Sequence, residues 1–384
     1  MTPLTVVLTN DAADIAGGEN YVLFVALGLR QRGHRVIIAP LEGSMLAEAA
    51  RAQDFETREI PYASRGREFS VARRMVSALR DDHVDVIHSN SNLDRTIGAL
   101  AARKLRCACV ASVHSCLSIQ HNITHWFRNR FLIHRFTPVG HSTQRVMTGK
   151  DRIPASRISV VHIGMPEEAV RFSAEGRRRV RAELGLSDDA VLIGNLARLV
   201  AFKGHTYLLS AMQRLLNAHP SARCAIAGDG ELRDSLQSQV GALGLSAQVT
   251  LLGHRNDISD FLSACDIYAQ PSVDFGGETF PVSVLNAMAA GRPIVASDVG
   301  DIRYMVLDGD NGFLTKDKQS RELADALSLL VADVSLREAM GKRSRALFLE
   351  RFTLETMIAN LEKVYHEVVK DVKGKKTRNE TAGV

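Results

Sequence analysis

Four side chains in the second half of the chain, Arg198, Lys203, Glu278 and Asn286, have the types and spacing to hold a polar, negatively charged ligand. In "GNLARLVAFKGHTYLL", Arg198 falls where an apolar strand-like run ends, and Lys203 lies in the loop before a helical run. Arginine can grip a diphosphate bidentately, lysine adds a point charge, and the amides at a helix start point the same way. In "GGETFPVSVLNAMAAGRPIVASDVG", Glu278 sits in a glycine-led loop, Pro281 suits a first helical turn and Gly291 suits the stop. The spacing predicts a short buried helix over Val282 to Ala290, with Asn286 about 7.5 Å along the axis from Pro281 at about 1.5 Å per residue. Such a helix could aim its dipole at a phosphate while Glu278 and Asn286 reach groups on either side. A sugar at one end of a diphosphate and a ribose at the other would match that layout. Solvated Arg/Lys pairs and ordinary capped core helices give the same pattern, so these residues alone leave both readings open.

The elements that must position these groups alternate in type along the chain. Leu4 to Leu8 is a continuous β-branched and leucine run, as in a strand buried on both faces of a parallel sheet. Gly17-Gly18 leads into "ENYVLFVALGLRQRG", where Tyr21, Phe24, Val25, Gly28 and Leu29 follow a helical period until Gly33. "HRVIIAP" is the next strand, and "VDVIHSN", "GALAARKL" and "CVASVHS" continue the alternation. A second cycle starts at "AVLIGNLARL" and runs through "HTYLLSAMQRLLNAHP", "ARCAIAGDG", "QVTLLGH", "ACDIYAQPS" and "RPIVASDVG". The charged, turn-rich segment between the cycles places a boundary near residue 166. The expected α/β architecture is therefore two doubly wound, Rossmann-like domains facing each other across a cleft, 1–166 and 167–350. A helix at 351–372 would pack back toward the first domain, and 373–384 would be a basic disordered tail. Ligands in such sheets bind beyond the carboxyl ends of the strands, which is where Arg198 and Glu278 fall.

Bulk properties agree with two globular domains. The chain has 384 residues, 45% hydrophobic and 24% charged, against a soft prior of about 150 residues per domain. A net charge of +5 favours anionic ligands but falls short of a nucleic-acid-binding signature. Five cysteines without a CxxC pair read as reduced core thiols. The first residues lack the pattern of a signal peptide, and no apolar run nears the roughly 18 residues needed to span a bilayer. The expected location is cytoplasmic, with peripheral contact at the inner face of the cell membrane as an alternative.

Taken in order, these pieces resemble the family 4 glycosyltransferases of GT-B fold, over nearly the whole chain. The family's second-domain pattern of Gly-Arg-Leu-x-x-x-Lys-Gly is matched by "ARLVAFKG", its Gly-Asp-Gly by Gly228-Asp229-Gly230, and its Glu-x7-Glu with Ala-Met-Ala-x-Gly by "ETFPVSVLNAMAAG". Its first-domain Gly-Gly-Ala-Glu appears as "GGEN" and its strand-end histidine as His114 in "VASVHS". The resemblance implies a retaining, metal-independent transferase. It would move a hexose or N-acetylhexosamine from a nucleotide sugar to a glycan or lipid-linked acceptor, in cell-envelope polysaccharide or lipopolysaccharide synthesis. It implies that Arg198 and Lys203 neutralise the donor diphosphate, that Glu278 hydrogen-bonds the transferred sugar, and that His114 contacts that sugar beside the reacting carbon. The amides of Thr279, Phe280, Pro281's neighbour Val282 and the loop around Pro281 would reach the distal phosphate. Gly17 and Gly18 would let the first-domain loop approach it without a side-chain clash, and His254 and Asn286 would complete the nucleotide site. The leaving diphosphate would assist deprotonation of the acceptor, so no protein nucleophile and no cofactor are implied. A UDP-sugar is the favoured donor, with a GDP-sugar as the alternative.

Departures from the family pattern bear on nucleotide preference. Asn286 stands where the family has a ribose-binding glutamate, and a carboxamide offers one acceptor oxygen and one donating NH2 where a carboxylate accepts from both hydroxyls. That exchange could cost roughly 1–3 kcal/mol. Asn20 replaces the glutamate of Gly-Gly-Ala-Glu, and "GDIRYMV" lacks the usual proline and glutamate. The Asp-x-Asp of Asp308 and Asp310 is read as a surface turn because Gly309, Asn311 and Gly312 surround it. "ITHWFRNRFLIHRF", 123–136, interleaves aromatic and basic residues and reads either as a membrane-surface helix suited to anionic lipid or as a core helix with a solvated face. The competing functions are a GT-B phosphorylase, a nucleotide-sugar epimerase and a catalytically silent GT-B binding subunit. A nicotinamide-dependent dehydrogenase is disfavoured because no GxGxxG follows the first strand of either domain.

Overall fold

The computed structural model describes residues 2–14, 17–62, 66–187, 189–275 and 277–381, those at 17, 18 and 375–381 by backbone alone. The chain divides into two compact units, one formed by residues up to Gly164 together with those from Leu354 onward, the other by Met165–Thr353. Each unit is built on a six-stranded parallel sheet.

In the first unit the strands are β1 (Thr5–Asn10), β2 (Arg35–Pro40), β3 (Glu56–Thr57), β4 (Val86–Ser89), β5 (Ala108–Val113) and β6 (Arg135–Pro138). In the second they are β7 (Leu192–Leu196), β8 (Arg223–Ala227), β9 (Val249–Gly253), β10 (Ile267–Gln270), β11 (Ile294–Ser297) and β12 (Gly312–Thr315). The orders are β3-β2-β1-β4-β5-β6 and β12-β11-β10-β7-β8-β9, so in each sheet the first and fourth strands are neighbours and the chain reverses its direction of winding there. That reversal opens a crevice beyond the strand ends, between β1 and β4 in one unit and between β7 and β10 in the other. The central strands are apolar on both faces because helices cover both: Val6, Val7 and Leu8 of β1 and Ile267, Tyr268 and Ala269 of β10 are all fully buried.

The last helix, Leu354–Thr381, belongs to the first unit, where it packs on the helix Gly17–Gln31. Gly28 permits the close approach, since a Cβ there would lie 2.3 Å from Ile358 Cγ1. Glu362 closes the contact by accepting from Arg32 Nε at 2.8 Å and lying 3.1 Å from His34 Nε2. The helix backbone runs past residue 372, where the sequence reading placed a disordered tail, to Thr381, with no proline to stop it, and residues 382–384 of that reading lie outside the described residues. Among the described residues no helix is long and apolar enough to cross a membrane.

The segment 123–136 is not one amphipathic helix. A short helix, Ile123–Phe127, passes into a wider π-helical turn, Arg128–Leu132, and the chain then enters β6, where Arg135 and Phe136 pair in register with Val110 and Ala111 of β5. The β-branched Thr137 and the edge-tolerated Pro138 favour the strand. Arg128 is buried, donating to Thr96 Oγ1 at 2.9 Å, Asn129 Oδ1 at 2.9 Å and the Ile119 carbonyl at 3.0 Å. It is therefore unavailable as a membrane-facing cation, which corrects that part of the amphipathic reading. Ile123, Trp126, Phe127 and Phe131, by contrast, are exposed, with Trp126 and Phe127 both in ring contact with Phe131.

Candidate active site

In the second unit the loops leaving β7 and β10 meet at the crevice, and glycines let them do so. After β7 the chain passes Arg198 and a short turn, Ala201–Lys203, before Gly204 caps the helix His205–Leu215. Gly204 has φ +70°, and a Cβ there would lie 1.8 Å from the Pro271 carbonyl oxygen in the loop after β10. The Val273 amide donates to the Phe202 carbonyl at 2.8 Å, fastening the two loops. Gly228, with φ +147°, abuts the Ala197 carbonyl, where a Cβ would come within 1.9 Å, so the Gly-Asp-Gly turn braces the loop that carries Arg198. Arg198 is exposed, and among the described residues its guanidinium takes part in no hydrogen bond or ion pair.

Lys203 and Glu278 are joined. Lys203 Nζ lies 2.6 Å from Glu278 Oε2, with the two side chains 13% and 7% exposed. The same oxygen accepts from Ser272 Oγ at 2.7 Å. Pro281 caps the helix Val282–Ala289, within one residue of the expected span, and Gly291 ends it in the left-handed region at φ +67°. Thr279 and Phe280 are buried just ahead of this helix, and Asp301 donates its amide to the Thr279 carbonyl at 2.9 Å. The first helical amides, of Val282 and Ser283, have no backbone acceptor within the helix and mark its positive end. Asn286 is buried in the middle of this helix, and its carboxamide makes no hydrogen bond to the described residues. His254 follows β9 at the sheet edge, exposed, its Nε2 3.0 Å from Asn256 Oδ1. Asp308 accepts from the Leu314 amide at 2.9 Å and Asp310 pairs with Arg343 at 2.8 Å, so both carboxylates serve a turn and a surface ion pair.

In the first unit, His114 directly follows β5. Its ring meets Tyr21 edge-on at 4.7 Å, and its Nε2 is shielded and has no hydrogen-bond partner among the described residues. Burial, reinforced by Arg95, pulls its pKa down to about 4, so the imidazole is neutral at neutral pH. Gly17 and Gly18 open the helix after β1, and beyond that they lie outside the described residues. Asn20 is exposed, whereas the preceding Glu19 is buried and accepts from Asn10 Nδ2 at 3.1 Å, so the carboxylate of this turn sits one position earlier than the resemblance placed it.

Sequence reasoning missed the polar ladder under Glu278. Tyr268, Gln270 and Ser272 alternate along and beyond the apolar β10, all fully buried, and "YAQPS" carries that signal as three hydrogen-bonding residues at period two in a buried strand. A depression of about 850 Å3 in the same unit is lined by Phe172, Arg292, Pro293, Arg337, Lys342 and Arg345 among others. It opens at the amino ends of β7, β10 and β11, at the edge of the sheet opposite the crevice.

The fold and site define a doubly wound, two-unit α/β protein whose second unit offers cations at its strand-reversal crevice. Two family models divide the chain between them, "Glycosyltransferase Family 4" over residues 15–168 and "Glycosyl transferases group 1" over 176–347. The chain belongs to the family 4 glycosyltransferases, of GT-B fold, and is a transferase. It is 27% identical to the D-inositol 3-phosphate glycosyltransferase of Nocardia farcinica, over 86% of this chain and 80% of that one. It is 29% identical to the alpha-D-kanosaminyltransferase of Streptomyces kanamyceticus over 58% of this chain, a match that spans 57% of that relative's length. Among solved structures, HepE of Anabaena in complex with UDP and glucose superposes with a TM-score of 0.81 at 22% identity, covering 95% of this chain and all of that one. A glycosyltransferase from Rickettsia africae superposes with a TM-score of 0.86 at 17% identity over 96% of this chain.

Proposed function

We propose that this protein is a retaining, metal-independent glycosyltransferase. It takes a hexose or N-acetylhexosamine from a UDP-sugar and places it on a glycan or lipid-linked acceptor in cell-envelope polysaccharide or lipopolysaccharide synthesis. The observation that carries this reading is the Lys203–Glu278 pair, which joins the loops after β7 and β10, with Arg198 in the same β7 loop and its guanidinium without a partner among the described residues. A diphosphate seated there meets one free guanidinium, one ammonium and the amides of Val282 and Ser283. Similarity to the HepE fold, solved with UDP, supports uridine as the base.

In the reaction, the bond between the anomeric carbon and the β-phosphate oxygen breaks, and its electron pair leaves with the nucleoside diphosphate. Arg198, Lys203 and the helix amides stabilise that growing negative charge. The acceptor oxygen bonds to the same face of the carbon, and its proton passes to the departing phosphate oxygen. Glu278 binds hydroxyls of the sugar and Asn286 faces the ribose. His114, neutral near pH 7, suits a hydrogen bond to an uncharged sugar hydroxyl. NMR of the product formed from an α-linked UDP-sugar in excess EDTA tests the chemistry. An α-linked product supports it, and an inverted product or a loss of turnover restored by divalent metal contradicts it.

The exposed Ile123, Trp126, Phe127 and Phe131 favour an acceptor held at a lipid surface, with apolar insertion rather than charge as its main attachment. This would place the protein on the inner face of the cell membrane. Flotation with anionic vesicles should survive Arg130→Glu and be lost in Trp126→Ser/Phe131→Ser. Undiminished flotation of the double variant would refute it.

A further inference from the structure

Glu278 is the last acceptor in a chain of hydrogen bonds that reaches back through Ser272 and Gln270 to Tyr268. The Leu196 amide at the end of β7 donates to Tyr268 Oη at 3.3 Å, and Tyr268 Oη lies 2.9 Å from Gln270 Oε1. Ser283 Oγ, in the first turn of the helix Val282–Ala289, donates to the same Gln270 oxygen at 3.1 Å. Gln270 Nε2 donates to Ser272 Oγ at 2.8 Å and lies 3.5 Å from Glu278 Oε2, and Ser272 Oγ donates to Glu278 Oε2 at 2.7 Å.

The directions next to Glu278 are forced. A carboxylate accepts and does not donate, so the Ser272 proton points at Glu278 and its lone pairs must receive the Gln270 amide hydrogen. That fixes the carboxamide with its oxygen toward Tyr268 and Ser283, which both have a hydroxyl to donate. The Tyr268 hydroxyl accepts from Leu196 N and has two acceptors within reach, Gln270 Oε1 at 2.9 Å and the Leu196 carbonyl at 3.2 Å, so it braces the outer end of the relay against β7. From Gln270 through Ser272 to Glu278 the dipoles are aligned toward the carboxylate, an arrangement in which each bond polarises the next.

We propose that Gln270, with Ser272, is the positioning residue of the donor site: it ties the sugar-binding carboxylate of Glu278 to the end of β7 and to the phosphate-facing turn of Ser283. Gln270 is fully buried behind Ser272, so its effect passes through Glu278. The consequence is division of labour within one site. Arg198 and the helix amides hold the nucleotide, while the relay sets where the sugar's hydroxyls find their acceptor. Lys203 contributes to both, since it bonds the same Glu278 oxygen from the opposite loop.

This inference rests on the donor-site reading above, and calorimetric titration with UDP and UDP-glucose tests the two separately. Gln270→Met keeps the length of the side chain and removes both ends of the relay. It should weaken UDP-glucose about tenfold, the order expected for losing a hydrogen bond that serves a charged group, while UDP itself changes less than twofold. Ser272→Ala should do the same, and the double variant should be no worse than either single one, because both break the same chain. Equal weakening of UDP and UDP-glucose in Gln270→Met would mean a general loss of structure and overturn the proposal, as would additive losses in the double variant. Glu278→Gln is the control. If it weakens UDP-glucose but Gln270→Met does not, the relay is wrong and the donor site stands. If it leaves UDP-glucose unchanged, the donor-site reading itself falls.

Discussion

Replacing Lys203 by methionine should harm the protein twice, by separable routes. Lys203 and Glu278 sit 2.6 Å apart with 13% and 7% of their side chains exposed, so each neutralises a charge that is largely out of water. Lys203→Met takes the ammonium from the Glu278 carboxylate and leaves it the neutral donors Ser272 and Gln270. Removing one partner of a buried pair costs about 3–5 kcal/mol, and the remaining exposure puts this pair near the lower end. At about 2–4 °C per kcal/mol for a unit of this size, the apparent melting temperature should fall by about 6–12 °C. Adding Glu278→Gln removes the stranded charge while keeping a carboxamide oxygen for Ser272, so the double variant should recover to within about 3 °C of wild type. UDP binding should behave otherwise: it weakens at least about tenfold in Lys203→Met, as expected for losing a charge-assisted contact, and does not recover in the double variant. Differential scanning fluorimetry and calorimetric titration measure the two quantities. A double variant as unstable as the sum of its single changes, or one that regains UDP affinity, would refute this division.

The remaining expectations concern the ribose end, the loop contact and the core of the first unit. Asn286→Glu should tighten UDP by about fivefold to 150-fold, the equivalent of roughly 1–3 kcal/mol for a restored charged hydrogen bond, and an unchanged or weaker affinity would remove the ribose from this position. Gly204→Ala forces a Cβ to within 1.8 Å of the Pro271 carbonyl at a positive φ, so it should lower the melting temperature and weaken UDP together; retention of both would contradict the loop contact. His88 is fully buried between Tyr365 Oη at 2.6 Å and Ser112 Oγ at 2.7 Å, and burial pulls its pKa down to about 3. The unfolded chain therefore takes up a proton below about pH 6.5 that the folded chain refuses, so stability holds above that pH and falls as pH drops toward 3. The slope nears 1.4 kcal/mol per pH unit, and His88→Gln should flatten it by about that amount between pH 6 and 4 in denaturant titrations.

Much of this architecture was legible in the sequence because parallel strands buried on both faces announce themselves as unbroken apolar runs. "PLTVVLTN" and "DIYAQ" became β1 and β10, and the proline-to-glycine interval from Pro281 to Gly291 framed a helix that ends within one residue of expectation. The cations and the carboxylate of the candidate site were legible for the same reason, since they stand where such runs stop. Periodicity served less well at 123–136, where a π-helical turn shifts the phase and carries Arg128 inward, so that a pattern read as one helical face is divided between a turn and a strand. The end of the chain misled through composition: a basic, polar run resembles a tail, yet nothing in it breaks a helix already seated on Gly28 and Arg32. The Tyr268–Gln270–Ser272 ladder left its signal in the period-two polar residues of "YAQPS", whereas the Lys203–Glu278 pair depends on side chains from separate loops converging, which spacing along the chain does not reveal.

The central claim is that the crevice beyond β7 and β10 seats the diphosphate of a nucleotide sugar. A thermal-shift panel of UDP, GDP, ADP and their sugars, run on wild type and Arg198→Ala, tests it most directly, because a ligand bound to the native state raises apparent stability in step with its affinity. UDP and a UDP-sugar should raise the wild-type melting temperature more than the other bases, and Arg198→Ala should abolish most of that rise while melting as wild type does without ligand. No shift with any nucleotide, or a shift undiminished in Arg198→Ala, would contradict the account.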